Sequence, residues 1–374
     1  MKYGLLLLMV FAAFSTAAQN CTEASLLEKP GVWKESSGGS SGITAADFAR
    51  EKKNVAAIHA MIKSTYSPMG VHANFNGGYN RAEPYMPCNS YIYSIIPLNY
   101  YCDGNTIKTE HETSTYFSIN SNIFDSEIYD TAQGDRLLME GFNVMYNMPV
   151  EKDGYWYFKE ADAPLGFGMT GKRIMWLITY DGKLPYTYVT KKEFLKKRRL
   201  ALFAQMNIAS EGFKDNLKNI EIEKKYKEQE YKNDPAKLNK YMKMDYLQIK
   251  ARYEKLLAEN EKSFRPAFDK IDAQLKMSAE ELSQHAIVKD DPQDHLSYLF
   301  TTAEDPFRKI LIKPNPDYFN KKLARSTAQF FWVYIRWNDQ NPIATKFRND
   351  IIKAVDFTTL KNMTGKDVVQ PVKK

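Results

Sequence analysis

The stretch YTYVTKKEFLKKRR, residues 186–199, decides how this 374-residue chain is organised. Thr190 is followed three residues later by Glu193, the pair that forms a capping box, in which each side chain takes a backbone N–H at the start of a helix. The spacing predicts a helix from 190 onward, entered from a strand through a Leu184-Pro185 turn. Phe194 and Leu195 are expected to face inward, and Glu193 to pair with Lys197 one turn on. Six of the nine residues from Lys191 to Arg199 are Lys or Arg. Cations in the first turns oppose the helix dipole by about a few tenths of a kcal/mol each, so an acidic partner is expected nearby. Residues 1–190, with 15 basic and 19 acidic groups, are one source of it. The alternative is that Lys196, Lys197, Arg198 and Arg199 meet an anionic surface such as lipid phosphate.

Downstream of this junction Gly212 is the one glycine before residue 278. Leu195, Leu202, Met206, Phe213, Leu217 and Ile220 recur at helical spacing. Asp234 followed by Pro235 is an N-cap with proline at the first helical position. A second stripe then runs through Leu238, Met242, Ile249, Tyr253, Leu256, Phe264, Phe268, Ile271 and Leu275. Two long antiparallel helices, a coiled-coil-like hairpin, are expected over 190–285. Pro266 either kinks the second helix or ends it early.

On both sides of the hairpin the texture is that of strands. YIYSIIPL (91–98), STYFSIN (114–120), YWYFKE (155–160) and KRIMWLITY (172–180) precede it. HLSYLF (295–300), RKILIKP (308–314) and STAQFFWVYIRW (326–337) follow it. A helix opens at Thr44, with Asp47 three residues on and Phe48, Val55, Ile58 and Ile62 inward. A final helix is expected over 342–356, with Ile343, Phe347, Ile351, Ile352 and Val355 inward. The pattern predicts an α+β fold with a mixed or antiparallel sheet built from N- and C-terminal segments and the hairpin inserted between them. In that reading 19–43 is a flexible segment, 44–189 and 286–358 together form the α+β part, and 359–374 is a tail. The alternative is two domains meeting near 286.

Residues 1–18 have the layout of a secretory signal: Lys2, an apolar run from Leu5 to Phe14, and small residues before a cut near Ala18. That run is too short to span a bilayer, which takes about 20 residues, and no later run is longer, so a soluble protein, secreted or periplasmic, is expected. Cys21 lies close behind the apolar run, as in lipid-modified exports, but Asn20 stands where those carry Gly, Ala or Ser, so lipidation is not expected. Three cysteines suit an oxidising compartment. Cys88 and Cys102 are spaced for a disulfide, with two buried free thiols as the alternative.

Motifs for chemistry are sparse. GFGMTG (166–171) fits the dinucleotide pattern but leads into a strand rather than a helix, and so reads as a hairpin turn. GGSSG (38–42) fits the nucleophile elbow but lacks a strand before it and parallel alternation after it. No HExxH or CxxC occurs among the five histidines and three cysteines. Asp290, Asp291, Asp294 and His295 offer oxygen and imidazole ligands for calcium or zinc, against the plainer reading of a polar turn. The tyrosines of 75–101 serve either as a sugar- or protein-binding face or as core and rim. No cofactor is implied, and the export signal argues against nucleic acid as a partner.

WLITYDGKLPYTYVTKKEFL (176–195) resembles a junction in uncharacterised secreted proteins of Bacteroidota, in which a strand, a Leu-Pro-Tyr turn and a Thr-(Lys/Arg)-Lys-Glu-(Phe/Tyr)-Leu helix start recur. STAQFFWVYIRW and the helix after it are also similar. The resemblance implies an envelope or secreted setting in a Gram-negative bacterium and carries no activity. Two functions follow as expectations. The first is a non-enzymatic binding or structural protein of the envelope or exterior, partnered by an envelope protein or polymer through the hairpin or the Tyr-rich face. The second is a hydrolase of an extracellular polymer built on carboxylates or on the 290–295 cluster. An exposed apolar patch along the hairpin would favour the first. Convergence of the 290–295 cluster with other acids or with His111 in a cleft would favour the second.

Overall fold

The computed structural model describes residues 21–36, 43–79, 88–123, 141–145, 147–166, 168–180 and 182–366. The signal segment 1–18, the GGSSG stretch and the last eight residues lie outside them. The protein is α+β, and its chain forms two compact units. One comprises Met1–Ile123, Pro149–Lys183 and Asn320–Lys374, and the other Phe124–Met148 and Leu184–Phe319.

The larger unit is built on a nine-stranded sheet. Strands β1 (Val32–Ser36), β2 (Val71–Gly78), β3 (Tyr91–Asp103) and β5 (Tyr116–Ser121) lead to the C-terminal strand β14 (Phe330–Trp337) at the centre. Beyond it come β9 (Met169–Thr179), β8 (Tyr155–Gly166) and β7 (Val150–Lys152), while β4 (Thr106–Thr109) pairs with β3. N- and C-terminal segments therefore share one sheet, as the strand pattern predicted. All its pairings are antiparallel except β1 with β2, which are joined through helix α2 (Ala45–Thr65) as a βαβ unit. Thr44 caps α2 by accepting the Asp47 N–H at 3.1 Å. Phe331, Val333 and Ile335 of β14 share a core with Ile58 and Ile62 of α2 and with Phe347 and Ile351 of the C-terminal helix Pro342–Ala354. Gly166 and Gly168, both at positive φ, turn β8 into β9, so GFGMTG is a hairpin and not a nucleotide loop.

Residues 21–36 are not the flexible segment expected. Thr22 and Ser25 form a reciprocal capping box on α1 (Glu23–Leu27), and Val32–Ser36 lies in parallel register with His72–Asn76. The disulfide also differs from the expectation: Cys102 bonds Cys21, with Cα atoms 5.6 Å apart, and Cys88 is a buried free thiol. Cys88 precedes β3 and Cys102 sits near its far end. An extended strand at about 3.3 Å per residue holds such positions tens of ångströms apart, whereas a bridge needs Cα atoms within about 7 Å. Residues 359–363, expected as part of a tail, belong to a short helix, Phe357–Met363.

The smaller unit carries the hairpin and a five-stranded sheet. Strands β10 (Tyr186–Tyr188), β13 (Lys309–Pro314), β11 (Ile287–Asp290) and β12 (Tyr298–Phe300) follow one another, and β6 (Asn143–Met145) pairs with β13. Of the strands after the hairpin, only β14 joins the larger sheet as expected for 286–358; β11, β12 and β13, up to Pro314, belong with the hairpin. The bounds at 190 and 285 fail because short strands from far apart in sequence meet on β13, and Val144, Val288 and Leu311 share a core with Phe194, Leu195 and Leu202.

The first hairpin helix, α3, runs Lys191–Glu230, and the second is α4 (Pro235–Tyr241), a π turn (Met242–Tyr246) and α5 (Leu247–Gln274). Arg199 meets Asp272, Ser210 meets Asn260 and Glu221 meets Lys250, so the two are antiparallel. α5 continues past Pro266. The π turn inserts a wider i→i+5 step, which shifts the phase of the second stripe. Tyr241 and Tyr246 are buried where Met242 was expected to anchor the helix, and Ile249 turns outward. Thr190 accepts the Glu193 N–H at 3.2 Å. Thr190→Ala is therefore expected to cost the smaller unit about 1 kcal/mol, read as an earlier urea midpoint in helix-monitored unfolding.

Candidate functional site

The basic run at 196–199 largely faces its own unit. Arg198 is 2% exposed. It donates to the Leu296 carbonyl at 2.8 Å and lies over the Tyr298 ring at 5.3 Å. Arg199 pairs with Asp272 of α5 at 2.8 Å, which holds that carboxyl below its ordinary pKa, and stacks over Phe268. Lys197 sits over Phe142. Lys196 is exposed. Glu193 does not pair with Lys197 as its spacing predicted; it accepts from Lys313 of β13 at 2.7 and 2.8 Å. The acidic partner of Arg199 comes from the second hairpin helix and not from residues 1–190. Strand and helix partners outcompete i,i+4 pairs here because they are held in place by packing.

The 290–295 cluster is not brought together as a metal centre. Lys309 pairs with Asp290 at 2.8 Å, and Lys270 pairs with Asp291, whose pKa it lowers. Asp294 accepts from the Leu296 N–H at 2.9 Å and from the Ser297 hydroxyl. His295 is exposed on the same turn. The carboxylates answer lysines and backbone N–H groups, and among the described residues no group of three His, Cys, Asp or Glu is disposed to hold a metal ion. His111 belongs to the other unit.

The described tyrosines of 75–101 mostly build the core: Tyr91, Tyr93 and Tyr100 are buried. His59 of α2 stacks on Phe75 at 4.2 Å, with Nδ1 3.3 Å from the Tyr93 hydroxyl and Nε2 3.3 Å from Glu35. Burial pulls its pKa down, while Lys63 and then His59 hold Glu35 low. These contacts tie β1 to α2.

Two of the features open to solvent were not foreseen in detail. The first is on the hairpin. Leu200 is 67%, Phe203 49% and Ile208 71% exposed. At 100° per residue, Leu200, Ala204 and Ile208 follow one ridge on the side of α3 away from buried Leu195 and Leu202, while Phe203 lies between that ridge and the buried side. Ile222 and Tyr226 are also exposed nearer the tip, beyond the charged turn of Glu211, Asp215 and Lys218. The signal was present in LALFAQMNIA (200–209), in which Gln205 and Asn207 are the two polar residues and apolar side chains extend beyond the core-facing stripe.

The second is a polar cleft of about 320 Å³ in the larger unit. Loop 110–115 forms one wall, with Glu110, Glu112 and the hydroxyl residues Thr113, Ser114 and Thr115. Leu165 and Met169 from the β8–β9 hairpin supply an apolar side, and Asn338 and Asn341 close it from the loop after β14. Asn99 of β3 donates to Glu110 Oε2 at 2.9 Å, and the backbone N–H of Glu110 returns to the Asn99 carbonyl at 2.9 Å. Burial raises the Glu110 pKa, against the lowering effect of hydrogen bonds from the Asn99 side chain and backbone. Nothing in the sequence places these residues together, since they come from four separate strands and loops.

Fold and sites together define a two-unit α+β protein with exposed apolar residues on a long helix of the smaller unit and a cleft in the larger. Among the described residues no helix is long and apolar enough to cross a membrane. No protein-family profile, curated protein or solved structure matches the chain.

Proposed function

We propose that this is an exported, non-enzymatic binding protein of the cell envelope or exterior, and that the helical hairpin carries its docking surface. The observation that carries the reading is the outward stripe Leu200, Phe203 and Ile208. Water-facing large apolar side chains close together on one helix are characteristic of surfaces covered by a partner. The Cys21–Cys102 bridge supports an oxidising compartment, in keeping with the secretory layout of residues 1–18. A sulfur held in that bridge cannot also carry a lipid thioether, which supports an unlipidated protein. The envelope setting agrees with the resemblance of 176–195 to secreted Bacteroidota proteins. A hydrolase has less support, because the 290–295 carboxylates are bound to lysines and turn backbone.

A photo-crosslinking residue at position 208, introduced in cells that make the protein, is expected to give a protein adduct of discrete mass. The same residue at exposed Lys321 in the larger unit is expected to give none. Leu200→Glu with Phe203→Glu should abolish the adduct while changing stability by about 0.5 kcal/mol or less per site. An adduct of twice the chain mass would identify a second copy as the partner. Equal labelling at 208 and 321, or an adduct indifferent to the two glutamates, would remove the reading.

A further inference from the structure

We propose that an aromatic pocket at the β7–β8–β9 edge of the larger unit binds one pyranose ring of a carbohydrate. This goes beyond the hairpin reading and does not depend on it. In YWYFKE (155–160) strand alternation puts Tyr155 and Tyr157 on one face of β8 and Trp156 on the other. Tyr157 lies opposite Trp176 of β9, and Lys152 of β7 lies opposite Tyr155. This is the core face of the sheet, since Tyr155, Tyr157 and Trp176 pack against the buried cluster that holds Ile174, Val333 and Ile335. Phe357 opens the short helix Phe357–Met363, and its ring centre comes within 5.4 Å of that of Tyr155 and 5.5 Å of that of Trp176. The four rings and Ile174, together with Lys152 and Asp153, line a pocket of about 320 Å³. That volume is at the lower end of the range for small-molecule sites, about 300–1,000 Å³, and suits a single sugar ring.

The chemistry of the lining selects the occupant. The four rings are half-buried and not sealed in the core. Tyr157 and Trp176 meet at 46°, Tyr155 and Phe357 at 49°, and Trp176 and Phe357 at 63°. No ring lies flat on its neighbour, so ring faces stay available for stacking. Two of the rings already carry cations. Lys152 Nζ is 5.9 Å from the Tyr157 centre, and Lys361 Nζ, which donates to the Gly154 carbonyl at 3.2 Å, is 5.4 Å from the Tyr155 centre. A cationic ligand seeking an aromatic cage would meet like charge on both. An anion would face Asp153 as well as Lys152.

A neutral polyol with an apolar face answers every part of this lining. Lys152 and Asp153 supply one donor and one acceptor, and among the described residues neither has an ion-pair partner or a side-chain hydrogen bond. A sugar hydroxyl donates to a carboxylate and accepts from an ammonium, while the C–H face of a pyranose stacks on an aromatic ring. Trp176, with Tyr157 on one side and Phe357 on the other, is the platform for that face. Asp153 and Gly154, at φ 55° and 78°, form the two-residue turn between β7 and β8, which fixes the backbone carrying both charges.

Calorimetric titration of the full chain tests the assignment with cellobiose, maltose, lactose and N,N′-diacetylchitobiose. Sorbitol serves as the acyclic polyol control and tetramethylammonium as the cation probe. At least one disaccharide is expected to bind with a Kd of about 5 mM or tighter, and sorbitol, which has no rigid ring face, about tenfold or more weakly. The tightest of the four reports the ring stereochemistry the pocket accepts. Trp176→Leu should weaken binding about tenfold or more. Asp153→Gly keeps a turn that glycine suits, removes the acceptor and should weaken binding about tenfold. It carries the test if Trp176→Leu fails to fold. The proposal is overturned if no disaccharide binds more tightly than sorbitol up to about 50 mM, if tetramethylammonium binds more tightly than all four, or if Asp153→Gly binds as the parent does.

Discussion

Cys102→Ser is expected to lower the unfolding free energy of the larger unit by about 4–5 kcal/mol, and Cys21→Ser by the same amount. The bridge closes a loop with a sequence separation of 81, and constraining the unfolded chain over that length accounts for the magnitude. The loop spans α1, β1, α2, β2 and most of β3, so losing the bridge frees the chain that enters the sheet through β1, its parallel edge strand. Cys88→Ala removes a buried sulfur and should cost only about 1 kcal/mol. Its thiol, pushed up to about 12 by burial, is inert at neutral pH. Chemical denaturation with and without reductant should therefore shift the parent and Cys88→Ala alike and leave Cys102→Ser where it is. Peptide mapping under non-reducing conditions should recover residue 21 linked to residue 102. A mapped bridge between 88 and 102, or a reductant effect that disappears in Cys88→Ala, would contradict the fold of the N-terminal segment as well as the pairing.

The second large effect is at Arg198. Arg198→Met is expected to destabilise the smaller unit by about 2–4 kcal/mol, the sum of a charge-assisted hydrogen bond to the Leu296 carbonyl and a desolvated cation–π contact with Tyr298. Arg198→Lys should restore little, because a point ammonium cannot stack as a planar guanidinium does. Lys196→Glu, two residues earlier and exposed, should change stability by about 0.5 kcal/mol or less. Urea midpoints of the three variants separate these outcomes. Binding to anionic vesicles provides a second readout. A run that served lipid phosphate would lose vesicle binding in step across all four cations, whereas the structure ties the cost to Arg198 and to folding. Three variants with equal, small shifts would return the run to the surface.

These two residues also show where sequence reading stops. Arg198 and Lys196 are neighbours of like charge in one basic run, and local chemistry cannot rank them. Which one is buried depends on where Leu296 and Tyr298 arrive, about 100 residues later in the chain. The same limit explains the cysteines. Spacing favoured Cys88 with Cys102, but once the residues between them form a strand the pair is held apart, and Cys21 becomes the partner through the packing of α1. The cleft was illegible for the same reason, since Asn99, Glu110 and Asn341 become neighbours only when β3, the loop after β4 and the turn after β14 meet.

By itself the sequence determined what acts within a few residues: the caps at Thr44, Thr190 and Asp234, the inward stripe of α3, the strand character on both sides of the hairpin and the glycine turn at 166–168. Capping and periodicity are short-range, and each is written in residues three or four apart. Only the tertiary structure decided the disulfide partner, the assignment of β11, β12 and β13 to the hairpin's unit, the phase shift at the π turn and which cations of YTYVTKKEFLKKRR are buried. Each of these depends on long-range pairing, in which many alternatives have similar local energies and the packed core selects among them.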